Sequence, residues 1–136
     1  MRAKEFMEQV RRASRELVSL HAMHDFFTEL AVNISAPIGA PTGARDPAHS
    51  RVEDGAVRIV DLATELDVKI QEYTDLVHKA QKLIAKVPGE KHRQFLTLYY
   101  VCGWSMKHIS DELRYDDEKS VYRLRGWALQ KLQKVM

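Results

Sequence analysis

Apolar or seam-compatible residues recur along the start of the chain with the spacing of a helical seam. Ala3, Phe6, Val10, Ala13, Leu17, Leu20, His24, Phe27 and Ala31 are separated by alternating steps of three and four, the period of a coiled coil. Residues 2–32 contain no Gly or Pro. Met7, Met23, Phe26 and Leu30 widen the stripe, so this helix is expected to meet more than one neighbour. The same alternation returns at Val52, Ala56, Ile59, Ala63, Leu66, Ile70, Tyr73, Val77, Ala80, Ile84 and Val87. Pro88-Gly89 then closes the second helix. Between the two seams, Asn33 to Ser50 carries Pro37, Gly39, Pro41, Gly43 and Pro47. That composition predicts a flexible loop without helix. Two seamed helices across a loop predict an antiparallel hairpin, each arm roughly 45–50 Å long at about 1.5 Å per residue.

The pattern changes after Pro88. Glu90 to Cys102 predicts a helix with Phe95, Leu98, Tyr99 and Cys102 on one face, ended by Gly103. Ser105 suits the N-cap of a short helix carrying Met106, Ile109 and Leu113 inward. Arg114-Tyr115 forms the turn. Asp116 and Asp117 open a last helix whose inward stripe is Val121, Leu124, Ala128 or Leu129, and Leu132. The expectation is an all-α chain with helices near 2–32, 52–87, 90–102, 105–113 and 117–134. Residues 1–87 would form a long hairpin and dimerisation element, with its loop at 33–50. Residues 88–136 would form a separate C-terminal domain. Apolar residues beside both seams (Met7, Met23, Phe26, Val60, Leu62, Leu76, Leu83) predict a homodimer through the long helices.

Charge sharpens this picture. The formal net charge is only +2. From Pro88 onward, however, nine basic residues stand against six acidic ones, and after Glu118 there are five basic residues and no acidic one. Residues 52–87 lean the other way, with seven acids and five bases. Positive charge gathered on the last helix suits a polyanionic partner.

A short helix, a tight turn and a longer basic helix behind a supporting helix have the layout of a helix-turn-helix DNA reader. Lys119, Ser120, Tyr122 and Arg123 lie on the first turns of the last helix. Arg can pair bidentately with guanine, and Lys with guanine or phosphate, while Ser and Tyr suit phosphates. Arg125, Lys131 and Lys134 lie further along and suit the DNA backbone.

The stretch Leu98-Tyr-Tyr-Val-Cys-Gly-Trp-Ser-Met-Lys-His-Ile-Ser-Asp-Glu-Leu113, with Ser120-Val-Tyr-Arg-Leu-Arg-Gly-Trp-Ala-Leu-Gln-Lys-Leu132, resembles region 4 of bacterial sigma factors. The whole chain resembles a sigma-like family of prophage regulators in Gram-positive bacteria, grouped with the RinA and ArpU late-gene activators. The resemblance implies a DNA-binding transcription regulator of phage or mobile-element genes. The chain departs from that pattern at three points. His108 stands where a capping acid is common, Ser110 replaces a small apolar residue, and Asp116-Asp117-Glu118 would repel phosphates if aimed at them.

Two other functions fit the same pattern. One is a protein-interaction module docking on RNA polymerase or another regulator. The other is a small terminase subunit. No phosphate loop, Cys-x-x-Cys pair or Ser/His/Asp cluster points to an enzyme, a metal or a cofactor. His21 and His24 have a metal-like spacing, but a zinc site needs further ligands, and a seam histidine bonded between helices is the expectation. Cys102 is expected to be a buried, inert thiol, and Trp104 and Trp127 to be packing residues. The longest apolar runs are a few residues, too short to span a bilayer. Without the apolar stretch of a signal peptide, the chain is expected in the cytoplasm.

Overall fold

The computed structural model describes residues 1–35 and 47–136, and the side chains of 1–33 and 53–136. Among the described residues there are helices and no strands. Helix α1 spans Ala3–Ser35, α2 Pro47–Ala85, α3 Glu90–Leu96, α4 Met106–Glu112 and α5 Glu118–Val135. A wide helical turn, Thr97–Val101, continues α3.

Both long helices extend into the segment expected to be loop. Helix α1 reaches Ser35 and α2 begins at Pro47. Proline is disruptive inside a helix, but at the first helical position its missing N–H would have had no partner, and its φ already suits the helix. The expected loop thus narrows, and what remains of it, residues 36–46, lies outside the described residues.

The described chain divides into two compact units, residues 1–17 with 72–136, and residues 18–71. In the second unit the seam residues Leu20, His24, Phe27, Ala31, Ala56, Ile59, Ala63, Leu66 and Ile70 are all buried or half-buried. His24 Nε2 sits 2.8 Å from Asp67 Oδ1, so the histidine on the seam meets a carboxylate of the facing helix. Val18, Met23, Phe26, Val57, Val60, Leu62 and Val68 of this unit are exposed.

In the first unit, α1 and α2 run in opposite directions. Lys79 Nζ lies 5.6 Å from the Phe6 ring centroid, and the Tyr73 hydroxyl bonds the Glu16 carboxylate. One core joins Phe6, Met7 and Val10 of α1 and Ala80, Ile84 and Val87 at the end of α2 to buried residues of α3, α4 and α5. Three residues expected to flank the seams uncovered belong here. Met7 is fully buried, and Leu76 and Leu83 pack against the same core. The C-terminal helices cover them, which helical periodicity within α1 or α2 could not reveal.

Residue 89 must be glycine for two reasons. Its φ is 95°, in the left-handed region, and an added Cβ would lie 2.5 Å from the His92 ring. The Arg93 guanidinium donates to the Val87 carbonyl at 2.8 Å, satisfying an acceptor that the end of α2 leaves open.

Candidate nucleic-acid interface

The candidate DNA contacts all lie on α5, and α3, the wide turn after it and α4 supply most of their support. The first feature that positions them is the wide turn after α3. The Cys102 N–H bonds the Thr97 carbonyl at 2.9 Å, five residues back, and the Trp104 N–H bonds that of Leu98 at 3.0 Å. A five-residue closure is a π-turn. It turns the face of the helix relative to an α-helical count. Phe95, Leu96 and Tyr100 are buried, whereas Leu98 and Tyr99 are half-buried and Cys102 is exposed. Of the expected face, Phe95 is buried and Leu98 and Tyr99 pack against the core, while Cys102 departs from it and Leu96 and Tyr100 are buried in addition. The same extra residue carries the thiol out to solvent, contrary to its expected burial.

Helix α1 holds this turn. The Arg11 guanidinium donates to the carbonyl of Tyr99 and, at 3.3 Å, to that of Trp104, and the Ser14 hydroxyl donates to the carbonyl of Val101. Arg11 also stacks 3.8 Å from the Tyr99 ring centroid. Partial burial pulls its pKa below the ordinary value. Burial likewise pushes the Tyr100 hydroxyl up to about 12. No periodicity rule would have selected Arg11 or Ser14, which lie just beside the seam of α1.

Helix α4 starts where the sequence indicates. The Ser105 hydroxyl oxygen accepts from the His108 N–H at 3.1 Å, as an N-cap does. The His108 ring stacks on Trp104, centroids 3.8 Å apart, and Met106 and Ile109 point into the core. Ser110 is buried, with its hydroxyl 3.4 Å from the carbonyls of Tyr115 and Asp117. The departures at 108 and 110 therefore have local uses. The histidine covers a half-buried indole, and the serine ties α4 to the turn before α5. That turn passes through Arg114 at a φ of 59°, a conformation that strains a residue with a Cβ.

Helix α5 begins at a second cap. Asp117 Oδ1 accepts from the Ser120 N–H and the Ser120 hydroxyl, both at 3.0 Å. The backbone bond is the main reason that the Asp117 pKa falls below its usual value. One of the three acids at the start of α5 thus directs its charge onto the helix itself. Val121, Leu124, Ala128 and Leu132 are all buried, in agreement with the expected stripe. Among the alternatives given, Ala128 is the buried residue and Leu129 is half-buried.

The candidate contacts then separate by position. Lys119, Tyr122, Arg123 and Lys134 are exposed. Ser120 is half-buried and committed to its cap. Arg125 is half-buried with its guanidinium 5.4 Å from the Tyr122 ring centroid. Lys131 is half-buried beside α3, Nζ 3.4 Å from His92 Nδ1. Burial first, and the Lys131 charge second, lower the His92 pKa. Trp127, expected to pack, is exposed on the outside of α5. It precedes Ala128 by one residue, about 100° around the helix from a stripe position.

An open groove of about 500 Å³ lies between α3 and α4, lined by residues including Leu98, Trp104, Leu113, Glu90 and Glu112. Among the described residues no three His, Cys, Asp or Glu side chains gather as a metal ion would require. No described helix is long and apolar enough to cross a membrane.

No family model, curated protein or solved structure matches the chain at a significant level.

Proposed function

We propose that the protein is a DNA-binding transcription regulator of a phage or mobile element, reading duplex DNA through α4 and α5 as a helix-turn-helix. In this reading α1 and α2 form a coiled-coil hairpin that pairs with a second copy. The observation that carries the proposal is the two-sidedness of α5. Its apolar stripe is wholly buried, while Lys119, Tyr122, Arg123 and Lys134 are exposed and no acid follows Glu118 on the helix. Such a helix has an orientation already fixed by its own core and a cationic face left for a polyanion. The resemblance of residues 98–132 to sigma region 4 points the same way. Arg123 is the best candidate for a base contact because it is exposed and can pair bidentately with guanine. Lys119 and Lys134 suit phosphates. Arg125 and Lys131 are second-rank contacts, since each is already engaged within the fold.

The test is a titration of labelled duplexes, one of mixed sequence and one selected for binding, at low and high salt. Arg123→Ala should lose about 1–3 kcal/mol on the selected duplex and narrow its advantage over mixed sequence. Lys134→Ala should weaken both duplexes alike and flatten the salt dependence by about one unit. If wild type binds neither duplex at low salt, the proposal fails.

One observation favours a second reading, docking on RNA polymerase or another regulator. The groove between α3 and α4 offers Leu98, Trp104 and Leu113 beside two carboxylates and Arg93, whose guanidinium is engaged by the Val87 carbonyl, a surface suited to an apolar side chain with a basic neighbour. Glu90→Gln combined with Glu112→Gln, both exposed on the groove rim, should weaken that partner while keeping duplex affinity.

A further inference from the structure

We propose that the outer face of α5 also binds single-stranded nucleic acid, with Trp127 as the platform for an unpaired base. This rests on the reading of α5 as a nucleic-acid helix and names a second ligand for the same face.

Trp127 is 56% exposed and Tyr122 48%. The helix buries its four stripe residues to 3% exposure or less, so its two aromatic rings remain outside a core that is otherwise complete. They stand among exposed Lys119, Arg123 and Lys134, and Arg125 adds its charge beside the Tyr122 ring. The cations select a polyanion over an apolar protein surface. The rings select what part of the polyanion is offered. A duplex presents base edges in its grooves and hides base faces in the stack, whereas unpaired bases expose a face on which an indole can lie. Cationic residues that track a backbone, combined with aromatic platforms for bases, are the features of single-strand sites.

Gly126 supports the same geometry. It lies one turn beyond Tyr122 and next to Trp127, and an added Cβ would meet nothing within 4 Å. The protein's own packing therefore does not call for glycine there, although glycine weakens a helix interior. What its missing side chain provides is a flat place between the two aromatics where a sugar-phosphate backbone can approach the helix closely.

The experiment is fluorescence anisotropy of labelled oligothymidylate and of a mixed-sequence duplex against the full chain at low salt. Wild type should bind the oligothymidylate. Trp127→Ala should weaken that binding about tenfold, the loss of one stacked base, and Trp127→Phe should restore most of it. Duplex affinity should change little in either variant. Far-UV circular dichroism should be unaltered, because Trp127 is exposed. No oligothymidylate binding by wild type, or equal binding by wild type and Trp127→Ala, overturns the inference. So does an equal loss on both ligands. Duplex binding without single-strand binding overturns this inference and leaves the regulator reading standing. Single-strand binding without duplex binding does the reverse.

Discussion

His92 illustrates how a single residue couples the C-terminal helices to pH. It is half-buried between the Gly89 turn and Lys131, and its Nδ1 accepts from the lysine ammonium only while the ring is neutral. Burial and the lysine charge both lower its folded pKa below the unfolded value near 6.5. The neutral ring therefore contributes its full stability above about pH 6.5. That contribution is lost as the pH falls through the folded value. His92→Gln should flatten the acid limb of stability. Urea unfolding at pH 7.5 and 5 should show wild type losing more than the variant, and equal losses would refute the assignment. Cys102 and Trp127 show the limit of reading single residues from sequence. Both are types that usually find cover, and both are exposed here. A π-turn displaces the first, and the second lies one position off a stripe.

Among the elements, the segment from Glu90 to Trp104 departs furthest from its expected form. A helix end leaves its last carbonyls without an intrahelical partner, and at this π-turn Arg11 and Ser14 satisfy those of Tyr99, Trp104 and Val101. Arg11→Ala should cost about 1–3 kcal/mol, the usual penalty for a partly buried acceptor left without a donor. Amide hydrogen exchange should quicken over residues 97–104 and remain slow in the middle of α5. An unchanged exchange rate in that segment would mean that the turn holds itself. The N-caps, by contrast, were legible. Ser105 and Asp117 begin their helices as expected, because capping depends on a side chain and an N–H only three residues away. Pro47 was misleading for an equally local reason, since a proline at the first position of a helix reads from composition as a breaker.

For the whole molecule, the division into two units refines where a partner copy would bind. Of the apolar residues expected to drive pairing, Met7, Leu76 and Leu83 are covered within the first unit. Met23, Phe26, Val60 and Leu62 remain exposed in the second, together with Val18, Val57 and Val68. Exposed apolar residues on two long helices offer a second copy a surface to cover. The homodimer proposed above should therefore form through residues 18–71. Wild type should sediment as a dimer at high micromolar concentration. Phe26→Glu combined with Val60→Glu should sediment as a monomer of unchanged helicity. A monomeric wild type would remove the proposed pairing, and an intact dimer in the double variant would move it to another surface.

The amino-acid sequence by itself determined the helical class, both seams, the two caps and the buried stripe of α5. Each of these follows from interactions a few residues apart, and so leaves a period or a short motif in the chain. The stripe alone decided that Lys119, Tyr122, Arg123 and Lys134 would face outward. Only the tertiary structure decided which flanking apolar residues are covered, that the turn after α3 widens by one residue, and that Arg11 and Ser14 hold it from nearly ninety positions away. It also decided that Arg125 and Lys131 lean back into the fold while Trp127 stands free. Those outcomes depend on which helix packs against which. Contacts between distant segments leave no spacing in the sequence, because the choice among compatible faces is made by packing and by the need to satisfy every buried polar group.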